Sequence, residues 1–295
     1  MNNDLLKIIK KHHLHPIGYQ KIGKVYLIKE KDKRYILKLS TSNYDIYKYL
    51  ISRDFHNFPD NYNTIGDNYD LSEYIPNIKL DNIQKLNDLL TTLSILHKKT
   101  SYKREISLDD IKKIYEDTLN KINEKLNYYT KINDLCDKKD FLSPSDYLLL
   151  INISLIYYSL EYSKNNLNKW YDNIKNNKSI RVSLIHNNIS LDHFIVNQDK
   201  YLINWDKSMF DIPIFDILNY YKLYYKDISL NDLFMIYEKY NKLDVNEKEL
   251  LLILLMIGND LHFSNNELLN TKMLNDEIIF LQNIYDYNKD LIKKQ

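Results

Sequence analysis

Between Ser183 and Asp206 the chain reads SLIHNNISLDHFIVNQDKYLINWD, which gathers most of its side chains able to do chemistry. By residue type, Asp192 and Asp206 can accept a proton or ligate a hard cation, whereas His186 and His193 offer nitrogen suited to zinc or another transition metal. Asn188 and Asn204 can orient a group but cannot take its proton. The two histidines have no convincing third ligand, and imidazoles so placed serve more often in cores and loops than in metal sites. Far upstream, Lys38 closes the apolar segment YILKL and adds a cation that could meet an anionic ligand. A solvated lysine on an edge strand is the plainer reading of the same residue.

These residues need strands and turns to hold them. Tyr19 to Lys29 alternates apolar and polar positions, and a charged turn at Lys31 to Lys33 leads into Tyr35 to Leu39, which predicts a hairpin. A helix is expected over Asn43 to Arg53, and a second hairpin with Tyr62 to Ile65 and Tyr69 to Ile75 flanking a Gly66-Asp67-Asn68 turn. From Asn77 on, helical periodicity takes over. Asp81 to His97 puts Ile83, Leu86, Leu89, Leu90, Leu93 and Leu96 on one face. Ser107 with Asp110 and Ser143-Pro144 with Asp146 read as helix starts, because a serine oxygen can satisfy a free backbone N–H and proline fits the first turn. A short β-hairpin, Phe194 to Val196 and Tyr201 to Ile203, interrupts this region. Further helices are expected at Ile214 to Tyr225, Leu230 to Tyr240, Glu247 to Ile257 and Asp276 to Lys293. The expected fold class is α+β, with a β-rich lobe over 1–76 and a helical lobe over 77–295.

Composition narrows the function classes. The 295 residues are 44% hydrophobic and 13% aromatic, enough for a sizeable core. Lys and Arg number 41 against 40 Asp and Glu, spread without a basic stripe, which argues against nucleic acid as a partner. The longest apolar run, Leu250 to Gly258, is far shorter than the ~20 residues of a spanning helix. A single cysteine, Cys136, excludes an intrachain disulfide and suits a reducing compartment, so the expected location is the cytoplasm. Alanine is absent and arginine is confined to positions 34, 53, 104 and 181, a bias of the kind an AT-rich genome produces. A lone Asn or Lys is therefore a weak functional signal here.

The order of elements, together with His186, Asn188, His193, the hairpin and Asn204-Trp205-Asp206, resembles the kinase-like superfamily of aminoglycoside phosphotransferases and choline kinases, most closely its spore-coat kinase-like proteins. The resemblance implies a two-lobed protein-kinase-like fold with ATP and Mg2+ as cofactors, here bound weakly or not at all. It places Lys38 at the nucleotide phosphates with Asp45, or else Glu30, as its orienting acid, and Glu73 and Tyr74 at the strand that grips an adenine. It also implies that Asn188 stands where a catalytic acid accepts the substrate proton, and that His193 and Asn204 stand at the metal positions. His186 and Asp216 become structural anchors, Asp216 within the run DIPIFDI.

Where the family carries two acids and an asparagine, this chain has two asparagines and a histidine. The resemblance thus implies a degenerate site: a pseudokinase-like binding or assembly module, with an unidentified protein or small-molecule partner, in the spore coat if the host sporulates. The alternative is an ATP-dependent phosphotransferase in which Asp192 or Asp206 replaces the missing acids. On an extended segment a two-residue shift displaces a side chain by roughly 6.6 Å, which places Asp206 too far for an unchanged metal position.

Overall fold

The computed structural model describes residues 3–39, 44–62 and 68–293. They form two compact units, one made of Met1–Ser101 with Leu184–Phe210, the other of Tyr102–Ser183 with Asp211–Gln295.

In the first unit, helix α1 (Asn3–Lys11) precedes a four-stranded antiparallel sheet in the order β1 (Gly18–Ile22), β2 (Val25–Lys29), β3 (Arg34–Leu39), β4 (Tyr69–Glu73). The segment expected as one arm, Tyr19 to Lys29, is two strands. It folds back at Gly23, whose φ of 58° is a left-handed conformation open to glycine without steric cost. Side chains alternate across the sheet. Tyr35, Leu37, Tyr69 and Leu71 bury on one face with Ile28 and with Ile8 of α1, while Lys38 lies on the other. Helix α2 (Tyr44–Ser52) follows β3, close to the expected span. Of the expected second hairpin, β4 forms, Asn61 bridges Ser72 and the Tyr62 N–H donates to the Leu71 carbonyl at 2.8 Å. Its turn and the rest of its first arm, 63–67, lie outside the described residues.

Helix α3 (Asn82–Thr100) starts on Asp81, whose carboxylate accepts the Ile83 N–H, and buries Leu86, Leu89, Leu90, Leu93 and Leu96. Ile83 stays largely exposed because it sits in the first turn, before the packed stretch begins. Strands β7 (Phe194–Val196) and β8 (Lys200–Leu202) pair as the expected hairpin, shifted by one residue in the second arm.

The second unit is mainly helical. There β5 (Tyr102–Glu105) pairs antiparallel with β6 (Ser179–Ile185). Both serine helix starts form full capping boxes, Ser107 with Asp110 on α4 (Leu108–Cys136) and Ser143 with Asp146 on α5 (Pro144–Ile174). Helix α5 packs against α4, α8 (Val245–Met256) and α9 (Glu267–Lys293). Leu149, Ile156, Leu160, Leu250, Leu251, Leu274 and Ile284 fill that core. Helices α6 (Ile214–Tyr224) and α7 (Leu230–Tyr237) complete it. Helix α9 begins nine residues before its expected start, where Glu267 accepts the Ser145 N–H at 2.6 Å. Among the described residues no helix is long and apolar enough to cross a membrane.

Candidate active site

From Leu184 to Asp206 the segment lies in the first unit, where Asn57, Asn77 and helix α3 hold it. Residues Asn57 and Asn77 extend the hairpin: Asn57 donates to the Lys200 carbonyl at 2.9 Å and accepts the Leu202 N–H, and the Asn77 side chain accepts the Val196 N–H at 3.0 Å. From α3, Lys85 donates to the Leu191 carbonyl at 2.8 Å and Asp88 pairs with Lys200 at 2.6 Å. These asparagines matter despite the compositional bias, because each satisfies backbone groups that would otherwise lack partners.

Within the segment, His186 is fully buried, its Nε2 2.9 Å from the Ile203 carbonyl and its ring edge-on to Trp205 at 4.8 Å. A carbonyl can only accept, so Nε2 carries the proton and the ring ties the start of the loop to the end of the hairpin. Residue Asn187 takes a φ of 54° and donates to the Lys207 carbonyl at 3.2 Å. The Asn188 side chain donates to the Asn204 carbonyl at 3.4 Å. The Asn188 carbonyl in turn faces His193 Nδ1 at 2.7 Å, which places that imidazole's proton on Nδ1. Asp192 is exposed in the 3₁₀ turn Leu191–His193, its N–H on Ser190 Oγ.

The decisive bend is at Asn204, which adopts a left-handed φ of 64° and opens a 3₁₀ turn, Trp205–Lys207. An asparagine tolerates this conformation better than most residues. The segment is therefore not extended, and the expected displacement of Asp206 does not hold. Lys38 Nζ donates to Asn204 Oδ1 at 3.3 Å and forms an ion pair with Asp206, so amide and carboxylate converge on one ammonium. Neither Asp45 nor Glu30 makes these bonds. Asp45 is exposed in the first turn of α2, and a Glu30 carboxylate oxygen accepts the His15 N–H.

Directly across the β3–β4 ladder from Lys38 lies Asp70, a residue that sequence reasoning passed over. Its carboxylate accepts from the Tyr47 hydroxyl at 3.2 Å and from the Asn61 side-chain amide. Burial pushes its carboxyl above the ordinary aspartate value, partly offset by those two donors; Asp206 pushes the same way and Lys38 opposes. The Tyr47 phenol is pushed far up, first by burial and then by Asp70. The available signal was the strand alternation, which puts Asp70 opposite to Tyr69 and Leu71. It becomes informative only once the register is known.

The adenine-side candidates sit where β4 ends. The Glu73 N–H donates to the Asp60 carbonyl at 2.9 Å and the Tyr74 N–H to the Arg34 carbonyl at 2.8 Å, so both donors are used within the unit. Asp216 is fully buried in the first turn of α6, in the second unit.

Tested against a nucleotide and magnesium, the residues divide. Lys38 suits a phosphate, and the Asp206 carboxylate with Asn204 Oδ1 supplies the small oxygen set that magnesium accepts when phosphates complete its shell. The His193 nitrogen is a poor magnesium donor, and among the described residues no three His, Cys, Asp or Glu side chains group as a metal site.

No protein-family model matches the sequence. No curated protein matches it either. The structure is similar to an aminoglycoside phosphotransferase from Alicyclobacillus acidocaldarius, with a TM-score of 0.68, 11% identity, and coverage of 95% of this chain and 93% of that one. It is also similar to the AMP-bound spectinomycin phosphotransferase APH(9)-Ia, with a TM-score of 0.55, 14% identity, and coverage of 95% and 98%. With an antiparallel sheet followed by a large helical part, the chain has the α+β kinase-like fold of these phosphotransferases.

Proposed function

We propose that the protein is a pseudokinase-like member of the kinase-like superfamily, a binding or assembly module that engages nucleotide phosphate at Lys38 with little or no phosphoryl transfer. The observation that carries this reading is Asn188, whose side-chain amide donates to the Asn204 carbonyl. A carboxamide at that place cannot accept the proton of an attacking hydroxyl, and a lost general base typically lowers the rate roughly 10²–10⁴-fold. The loss of carboxylate at Asn204 adds to it. Bound magnesium would be held by Asp206 and Asn204 and would neutralise phosphate charge. The protein's own residues then bind and orient, with Lys38 as the cation for phosphate and His186 with Asn187 fixing the loop. An assembly role in a spore coat follows from the resemblance if the host sporulates.

A second reading, an ATP-dependent phosphotransferase acting on a small molecule or protein, is favoured by one observation, the Lys38–Asp206 ion pair. It brings Asp206, rather than the exposed Asp192, to the phosphate lysine. Single-turnover assays with labelled ATP and magnesium separate the two readings. The first expects no transfer or hydrolysis above background in wild type. Robust turnover lost in both Lys38→Met and Asp206→Ala would overturn it in favour of the second.

A further inference from the structure

We propose that a cavity in the second unit, bounded by the end of α6, the start of α7 and α9, is a binding site for a small organic molecule with an ammonium head. The cavity measures ≈ 360 Å³, within the range of small-molecule sites, and it shares no residue with the candidate active site. Three tyrosines line it, Tyr221, Tyr225 and Tyr287, and each is braced from outside the cavity. Tyr221 packs on Phe280 with ring centroids 5.8 Å apart, and Tyr287 on Phe234 at 5.6 Å. The Tyr225 hydroxyl donates to the Asp276 carbonyl at 2.9 Å, and its own carbonyl accepts from the Asn283 side chain at 3.4 Å. The walls therefore stand before any ligand arrives, which lowers the cost of binding one.

Charge selects the ligand. Lys226 also lines the cavity, but it is engaged: it pairs with Asp276 at 2.5 Å and its Nζ lies 5.6 Å from the Tyr225 ring centroid. That contact shows the aromatic wall accepting a cation. Two lining carboxylates remain, Asp227 in the turn between α6 and α7 and Asp286 on α9. Both are exposed, and among the described residues neither forms an ion pair; Asp286 accepts from the Gln282 side chain at 3.0 Å. An ammonium head answers both the carboxylates and the rings. An anion does not, although Leu230 and Asn231 bring the start of α7 to the cavity. There Ser229 Oγ accepts the Asp232 N–H, and the Asp232 carboxylate beside it offsets the positive helix end. Among the described residues no three His, Cys, Asp or Glu side chains group as a metal site, so the carboxylates suit an organic cation better than a metal ion.

Saturation-transfer difference NMR on the full chain tests the site, with tetramethylammonium chloride as the probe and ionic strength held constant with sodium chloride. Saturable binding is expected with a dissociation constant of about 1–10 mM, and none for uncharged tert-butanol of similar size. The double variant Asp227→Asn, Asp286→Asn removes both charges at exposed positions and keeps an acceptor for Gln282. It is expected to weaken tetramethylammonium binding at least about tenfold. No saturable binding in wild type up to about 50 mM overturns the proposal, as does a double-variant affinity within about twofold of wild type or equal binding of tert-butanol. Inorganic phosphate bound in wild type and lost in Lys226→Met would make the cavity an anion site and overturn it too. Should circular dichroism show the double variant unfolded, Tyr287→Leu decides: about threefold weaker binding is expected, and an unchanged affinity overturns the proposal.

Discussion

At the scale of single residues, the candidate site carries two amides, Asn188 and Asn204, beside the Lys38–Asp206 ion pair. Asn188 and Asn204 keep the loop's hydrogen bonds, one donating through its side chain and the other accepting through its carbonyl, so the backbone arrangement does not depend on a carboxylate. Asn204→Asp keeps an acceptor for Lys38, whereas Asn188→Asp gives up the amide donor to the Asn204 carbonyl, so folding of the variant is checked by circular dichroism. The double variant Asn188→Asp, Asn204→Asp is expected to raise single-turnover phosphoryl transfer or ATP hydrolysis by at least about 10²-fold over wild type. An unchanged rate in a folded double variant would show that more than these two positions disables the site. A different residue contributes to the acid stability of the second unit. Burial alone would raise the Asp146 carboxyl, yet Lys139 and the Ser143 cap hold it down at about 2. Its unfolded value is near 3.9, so the folded state binds fewer protons between those values. The resulting contribution of about 2 kcal/mol is full above pH 4 and lost as pH falls toward 2. Urea unfolding of wild type and Asp146→Asn should differ by about that amount at pH 6 and converge near pH 2.

At the scale of elements, capping and turn chemistry decide where helices and strands end. The helix starts at Ser107 and Ser143 were legible because the cap and its partner are three residues apart, a purely local signal. Strand count was less legible: the apolar positions Ile22, Val25, Leu27 and Ile28 read as one run, and only antiparallel pairing shows that the chain doubles back at Gly23. Helix α1 was not expected at all, since its stripe around Ile8 makes sense only against the sheet it covers. The two left-handed glycines among the described residues should respond differently to substitution. At Gly23 an added Cβ meets nothing within 4 Å, so Gly23→Ala is expected to cost only about 1 kcal/mol of conformational strain. At Gly258, just past α8, it would lie 1.9 Å from Glu277 Oε1. That carboxylate is buried and accepts both the backbone N–H and the side chain of Asn259 at 2.8 Å, so it cannot easily yield. Gly258→Ala is expected to cost more than about 3 kcal/mol, measured by equilibrium denaturation; equal effects at the two glycines would contradict this account.

At the scale of the whole molecule, every residue named for catalysis, nucleotide or metal falls in the first unit, although Lys38 and Asp206 are 168 positions apart. Ligand binding there should stabilise the fold by mass action. With ADP at about 100 times its dissociation constant, the gain is about 2.7 kcal/mol, seen as a rise in melting temperature. The rise is expected in wild type and absent in Lys38→Met; no rise in wild type at millimolar ADP, with or without magnesium, would contradict nucleotide binding. Much of this arrangement was written locally. Helix caps, the β7–β8 hairpin, the apolar stripe of α3 and the spacing from His186 to Asn204 each depend on residues close in sequence, so they were readable from it. The acid that meets Lys38 was not. Asp45 looked suitable because it follows β3 closely, and Asp206 looked too distant because a continuing strand would carry it away. The left-handed turn at Asn204 reverses that geometry, and the register of β3 on β4 sets Asp70 beside Lys38. Sequence determined most of the helices, the β7–β8 hairpin and which residue types the loop carries. Tertiary structure alone decided which charges share a site, because contacts across 32 and 168 residues depend on chain reversals that local propensity does not specify.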